Sequence, residues 1–215
     1  VDLLLDNGAD PNITDNYGMT PLTIASLRGH IDIVRLLLEN DADPNIQSNR
    51  GTTPLIGSSM LGNIDIVRLL LNHGVNPNFI SIEGATALIK ASRNGHTDIV
   101  DLLLDNGADP NIQSNNGDTS LIWASNQGHT DTVRLLLDRN ANPNITNNLN
   151  QTSLLVTTLK GFTNIVRFTN IVRLLLDNDA NPNIGDNYGM TPLIWASRLG
   201  NTDFVRLLLE NGADP

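Results

Sequence analysis

A three-residue turn returns along the chain at near-constant intervals, and no other feature of the sequence restricts the fold as severely. Asp10-Pro11-Asn12 recurs as Asp43-Pro44-Asn45, Asn76-Pro77-Asn78, Asp109-Pro110-Asn111, Asn142-Pro143-Asn144 and Asn181-Pro182-Asn183, and Asp214-Pro215 opens a further copy. Successive prolines are separated by 33, 33, 33, 33, 39 and 33 residues. A period of this length is one supersecondary unit that cannot bury an apolar face alone, so neighbouring units must stack to build a core. The expected organisation is a single repeat domain over residues 1–215. It starts with a half unit, 1–12, followed by units 13–45, 46–78, 79–111, 112–144, 145–183 and 184–215.

Within each unit the residues predict two short helices. Thr20-Pro21-Leu22 places a hydroxyl where it can accept a free backbone N–H, and a proline where its missing N–H costs nothing. Thr53-Pro54 and Thr191-Pro192 repeat the signal, while Thr86, Thr119 and Thr152 keep the cap without the proline. Gly29, Gly62, Gly95, Gly128, Gly161 and Gly200 then stand where a left-handed C′ residue closes the helix after about two turns. A second helix follows, as in Asp32-Ile33-Val34-Arg35-Leu36-Leu37-Leu38, with an acid in its first turn and apolar residues at helical spacing. It ends near Asn40. Aspartate and arginine three residues apart, as in Asp32/Arg35, Asp65/Arg68, Asp131/Arg134 and Asp203/Arg206, are expected on the outer, solvated face of this helix.

Composition narrows the function classes. A net charge of −10 repels phosphate backbones and anionic lipid, which speaks against nucleic-acid and membrane partners. The chain has no cysteine, hence no disulfide framework, thiol nucleophile or thiolate metal site, and it lacks a basic, apolar leader. An intracellular protein is expected, in the cytoplasm of its own cell or of a host. His30, His96 and His129 occupy one repeat-equivalent corner, where a capping role is expected rather than a metal site. No histidine pair has zinc-helix spacing, there is no glycine-rich phosphate loop, and serine recurs only within the repeat. The sequence therefore predicts no catalytic constellation, no cofactor and no metal. Sequons at Asn12, Asn144 and Asn150 follow from the repeat wording and matter only in a secreted chain.

The unit Asp15-x-x-Gly18-x-Thr20-Pro21-Leu22, followed by Ala25, Gly29-His30, Ile33-Val34, Leu36-Leu37-Leu38 and Ala42-Asp43-Pro44-Asn45, resembles the ankyrin repeat. The likeness covers essentially the whole chain, and its wording is similar to ankyrin arrays of large DNA viruses and intracellular bacteria. It implies an all-α repeat solenoid of antiparallel helix pairs with protruding β-hairpin-like loops. In that family the hairpins and first helices line a concave groove that binds another protein. The chain departs from the family pattern in two places. The usual histidine after Thr-Pro-Leu is Thr23, Ile56, Ile89, Ile122, Leu155 and Ile194, which replaces hydrogen bonds between units by apolar contact. The second of the usual paired alanines is Ser26, Ser59, Ser92, Ser125, Thr158 and Ser197.

The resemblance points to partner-binding residues on two elements. On the hairpins these are Tyr17, Met19, Arg50, Glu83, Asn116, Asp118, Tyr188 and Met190. On the first helices they are Leu27, Arg28, Met60, Leu61, Arg93, Asn94, Trp123, Asn126, Gln127, Trp195, Arg198 and Leu199. Aromatic and methionine side chains are enriched at interfaces, so Tyr17, Met19, Tyr188 and Met190 read as groove contacts, with packing against the next hairpin as the alternative. Trp123 and Trp195 read first as residues packed between neighbouring first helices and second as contacts. The expected protein is a monomeric interaction scaffold and not an enzyme. The alternative reading is a targeting or substrate-recruiting segment of a longer protein, such as a ubiquitin-ligase adaptor or effector, whose activity lies elsewhere.

The unit of 39 residues carries a verbatim tandem duplication, Phe162-Thr163-Asn164-Ile165-Val166-Arg167 followed by Phe168-Thr169-Asn170-Ile171-Val172-Arg173. Six residues turn a helix by about 600°, so the two Ile-Val pairs cannot both face the core. The second copy is joined directly to Leu174-Leu175-Leu176 and is expected to fill the core position. The first is expected to bulge from the corner or to extend the second helix outward, so that removing residues 162–167 preserves or raises the melting temperature.

Overall fold

The computed structural model describes residues 7–161 and 165–215. Among them are twelve α-helices and no strand. Contacts divide the chain into two compact units, Val1–Asp109 and Pro110–Pro215.

The first unit holds the pairs α1 (Pro21–Arg28) and α2 (Ile31–Glu39), α3 (Pro54–Leu61) and α4 (Ile64–Asn72), and α5 (Ala87–Asn94) and α6 (Thr97–Asp105). Helices of eight and nine residues are too short to persist alone, and their stability comes from neighbours. Accordingly α1 packs on α2 and on α3, α3 on α4 and α5, and α5 on α6, while α4 lies against both α2 and α6. The first helices start as the sequence predicts: Thr20, Thr53 and Thr86 Oγ1 accept the N–H of Thr23, Ile56 and Ile89 at 3.1, 3.2 and 3.2 Å. They close on Gly29, Gly62 and Gly95 at φ 74, 81 and 75°. Leu22, Val34, Leu55, Val67, Leu70, Leu88, Val100 and Leu103 fill the core. Ile56 and Ile89, in place of the family histidine, are buried as apolar contacts, while buried Thr23 pairs its hydroxyl with that of Thr20 at 3.0 Å. The hydroxyls of Ser26, Ser59 and Ser92 are buried without a hydrogen-bond partner.

The histidine corner differs from expectation. Neither His30 nor His96 caps the following helix with its side chain. His96 Nε2–H donates instead to the carbonyl of Met60 at 3.3 Å, because its ring lies against Gly62, the corner of the preceding pair. Asp32, Arg35, Asp65 and Arg68 are exposed as expected, and among the described residues no ion pair joins them.

The Asx-Pro-Asn turns are clamped to one another by side-chain amides. Asn12 Oδ1 accepts the N–H of Asp43 at 2.8 Å and its Nδ2 donates to the Asp41 carbonyl at 3.4 Å. Asn78 does the same to Asp109 N–H and the Gly107 carbonyl, at 2.9 and 3.0 Å. Asn12 and Asn78 thus each satisfy a donor and an acceptor of the next turn, which keeps these backbone groups paired on an irregular loop, whereas Asn45 bonds Asp43 within its own turn.

The second unit holds α7 (Ser120–Gln127) with α8 (Thr130–Asp138), α9 (Ser153–Lys160) with α10 (Ile165–Asp177), and α11 (Pro192–Arg198) with α12 (Thr202–Glu210). Thr119, Thr152 and Thr191 cap the first helices by accepting from Ile122, Leu155 and Ile194. Ile122 and Leu155 are buried, whereas Ile194 is 44% exposed. Ser125 repeats the unpartnered buried hydroxyl, while Thr158 Oγ1 donates to the Leu154 carbonyl at 2.9 Å. His129 makes no side-chain cap bond. Asn111, Asn144 and Asn183 continue the clamp, accepting from Asn142, Asn181 and Asp214 N–H at 2.8, 2.7 and 2.9 Å.

The duplicated segment reshapes one corner of this unit. Gly128 and Gly200 are left-handed, at φ 76 and 70°, but Gly161 is right-handed at φ −59°, and its N–H donates to the Thr157 carbonyl at 2.8 Å. The C′ role expected for Gly161 is therefore not filled: the chain keeps turning in the helical sense there. A Cβ on Gly161 would stand 2.2 Å from Phe204 Cε2, so the glycine is required by the ring packed on it rather than by its backbone angle. The second copy occupies the core, with Phe168, Ile171 and Val172 buried, while Val166 of the first copy is 80% exposed on an α10 of thirteen residues. Residues 162–164, also part of the first copy, lie outside the described residues. No described helix is long and apolar enough to cross a membrane.

Candidate partner-binding surface

The hairpin-like loops are built from one device with interchangeable residues. Asp15 Oδ1 accepts the N–H of Tyr17 and Met19 at 2.8 and 2.9 Å. Ser48 Oγ does this for Arg50 and Thr52, Asn147 Oδ1 for Leu149 and Gln151, and Asp186 Oδ1 for Tyr188 and Met190. Each short polar side chain therefore supplies a local turn and fixes the two tip residues that follow. Neighbouring loops are tied through the backbone. In the first unit Asn49 N–H donates to the Tyr17 carbonyl at 2.8 Å and Ile82 N–H to that of Arg50 at 3.2 Å. In the second, Asn148 N–H donates to Asn116 at 2.9 Å and Asn187 N–H to Leu149 at 3.2 Å. Asn150, standing where other loops have glycine, adopts φ 57° and donates its amide to the Gly185 carbonyl.

In the first unit these loops and the first helices enclose a concavity of about 440 Å³, lined by Tyr17, Met19, Leu27, Ser48, Asn49, Arg50, Thr52 and Met60. Five residues predicted from the sequence converge on it: Tyr17, Met19, Leu27, Arg50 and Met60. Gly57 lies beneath one of these lining residues, Leu27. Where the other first helices carry Ile24, Lys90, Trp123, Val156 or Trp195, this buried glycine has no side chain, and Leu27 lies over it, 2.9 Å from where a Cβ would be. A second hollow of about 170 Å³, lined by Arg50, Thr52, Ile56, Met60, Ser81, Glu83 and Lys90, shares Arg50, Thr52 and Met60 with the first.

Other predicted residues of this unit are distributed around these hollows or committed elsewhere. Arg28 and Leu61 are exposed on the last turns of α1 and α3. Glu83 forms an ion pair with Lys90 at 2.8 Å. That hydrogen bond and the Lys90 charge hold its carboxyl below the usual glutamate range; slight desolvation opposes them, and Arg93 and Arg50 add to the lowering. Asn94 is engaged structurally, its Nδ2 donating to the carbonyls of Met60 at 2.9 Å and Lys90 at 3.1 Å.

In the second unit Tyr188 is 90% exposed and Met190 half-buried at the loop tip. Trp195 is half-buried, and its Nε1–H donates to Asp186 Oδ2 at 3.1 Å, which ties the first helix to its own loop. Arg198 stands 5.3 Å from the Trp195 ring centroid in a cation–π contact. Burial works to raise the Asp186 pKa, but the hydrogen bonds from Met190, Trp195 and Tyr188 outweigh it and hold the carboxyl below the usual aspartate range. Asp118 Oδ1 accepts Asn147 Nδ2–H at 2.9 Å, and the Asn116 carbonyl belongs to the loop ladder. Trp123, Asn126 and Leu199 are half-buried and Gln127 is exposed. Sequence patterning did not single out Ser48 or Asp186 as loop organisers, although both align with Asp15 across the repeats.

Stacked helix pairs joined by interlocked polar loops define a repeat solenoid. A family profile described as "Ankyrin repeats (3 copies)" matches residues 1–81, 41–114, 75–147 and 140–215. The chain is also similar to the crystal structure of an ankyrin repeat domain from Acinetobacter baumannii AYE, at 32% identity and a TM-score of 0.85, covering 93% of this chain and 100% of that one. No curated protein sequence matches it. The chain belongs to the ankyrin-repeat family, whose members are in general non-enzymatic modules that bind other proteins.

Proposed function

We propose that this chain is a protein-binding scaffold that holds its partner on the hairpin loops and first helices, acting as a monomer and without catalysis of its own. The carrying observation is the concavity of the first unit, where Tyr17, Met19, Leu27 and Met60 present apolar surface beside the polar Ser48, Asn49, Arg50 and Thr52. A small number of apolar anchors surrounded by hydrogen-bonding groups is the composition from which interface hot spots are made. Tyr188, Met190 and Trp195 are the corresponding candidates in the second unit. The proposal takes residues 1–215 as one repeat domain with the boundaries given above and assigns it an intracellular location. The net charge of −10 supports a protein partner over nucleic acid or an anionic membrane.

The test is a partner capture with the intact chain, compared between two sets of variants. Changing Tyr17 and Met19 to Ser should weaken capture by more than about 1 kcal/mol, the threshold that marks a contributing interface residue. Charge reversal at Arg35 and Arg68, on the second-helix face, should leave it unchanged. The reverse pattern would place the partner on the outer face and refute the proposal.

A further inference from the structure

We infer that the first unit's concavity selects an acidic segment of its partner, one that inserts a single apolar or aromatic side chain between Tyr17, Leu27 and Met60 while its carboxylates meet Arg50 and the cations beyond it. This rests on the function proposed above and adds the chemistry of the ligand. It is the charge distribution that points to it. The hairpin-like loops and first helices of this unit, residues 13–28, 46–61 and 79–94, carry four cations, Arg28, Arg50, Lys90 and Arg93, against two carboxylates, Asp15 and Glu83, whereas the chain as a whole has a net charge of −10. Both carboxylates are engaged: Asp15 holds its own loop, and Glu83 is paired with Lys90.

Two of these cations line the hollows. Arg50 stands on the rim shared by the two hollows, and Lys90 lines the smaller one. The Glu83 carboxyl is held below its usual range chiefly by its bond to Lys90, and Arg93 and Arg50 add smaller contributions from the same side. The apolar part of the site is provided by Met19, Leu27 and Met60, with Leu27 seated on Gly57, and methionine adapts to anchors of different shape.

The test uses the full chain and three short fluorescent peptides followed by fluorescence anisotropy. In the first peptide a central phenylalanine is flanked by aspartate and glutamate; in the second, by asparagine and glutamine; in the third, by lysine. The acidic peptide should saturate, bind more weakly as sodium chloride is raised, and lose about fivefold in affinity with Arg50→Gln, the upper range for a single exposed charge. Circular dichroism checks that this exposed substitution leaves the fold intact. Equal binding of the neutral peptide, preference for the lysine peptide, or no saturable binding of the acidic one would overturn the inference. A display selection of random peptides against the same chain separates this failure from failure of the proposed function. Binders without acidic bias that are lost on Met60→Glu sink the charge preference alone. Binders indifferent to Met60→Glu and Arg50→Gln but lost on Arg35→Glu remove the groove as well.

Discussion

Two helix corners, one in each unit, start from similar residues and end in different structures. After α3, Gly62 turns left-handed at φ 81°, Asn63 separates the helices, and α4 runs for nine residues. After α9, Gly161 stays right-handed at φ −59°, and α10 runs for thirteen residues from Ile165. The two copies of Asn-Ile-Val-Arg at the second corner have the same local propensity, so propensity cannot choose between them. The choice is made by distance to Leu175, Leu176 and the Asn181-Pro182-Asn183 turn: only the second copy holds Ile171 and Val172 on the stripe those residues define, and both are fully buried. In the first copy Val166 is left in solvent, and Arg167 donates its Nε–H to the Gly128 carbonyl at 2.7 Å. Register against fixed neighbours, and not local sequence, decides which of two identical segments belongs to the core.

This comparison is sharpest in the response of the two copies to truncation. Ile171→Ala should cost about 3 kcal/mol in chemical denaturation, as for other fully buried isoleucines, whereas Val166→Ala should change stability by less than about 0.5 kcal/mol. Equal costs would show that both copies are packed. Next in size is Gly161→Ala, expected to lose about 2 kcal/mol through overpacking against Phe204, with partial recovery when Phe204→Leu is added. Since φ at Gly161 suits alanine, a neutral result would mean that the Phe204 ring is not packed on this glycine. A smaller contrast concerns the turn clamps. Asn78→Ala removes two bonds between turns and should cost about 1 to 2 kcal/mol. Asn45 turns its amide back on its own unit, donating to Asp43 Oδ1 at 3.1 Å, so Asn45→Ala should cost less than half as much. The smallest effect is expected at the buried serines: Ser92→Ala removes an unpartnered hydroxyl and should be neutral or raise the unfolding midpoint slightly, while Thr158→Val, which deletes a made bond, should lower it.

Much of the fold could be read in advance because the period repeats every signal several times. Six threonine caps, five of the six glycine corners and the Leu-rich second helices stand where the spacing puts them, and the likeness to ankyrin repeats extends from end to end. Among the candidate contacts, Tyr17, Met19, Leu27, Arg50 and Met60 are brought together, while Asn94 and Asp118 spend hydrogen-bonding groups on holding the structure. That division was not legible, because an exposed amide and a clamped one have the same spelling. The histidine corner escaped for a related reason. A residue at a helix start reads as its cap, yet the nearest acceptor for His96 belongs to the preceding pair, some 36 positions earlier in the chain.

What the sequence determined by itself is the periodic part: where helices begin, which stripe is apolar, and that units must stack, since each follows from local caps, helical spacing and the inability of one short pair to bury its own face. The tertiary structure decided everything that depends on a neighbour. It selected the buried copy of the duplication, made Gly161 necessary through a ring some forty residues away, turned asparagines such as Asn78 into clamps between turns, and gathered Tyr17, Met19, Leu27, Arg50 and Met60 around one hollow. Those outcomes are set by distances between units, and a linear pattern of residue types does not contain them.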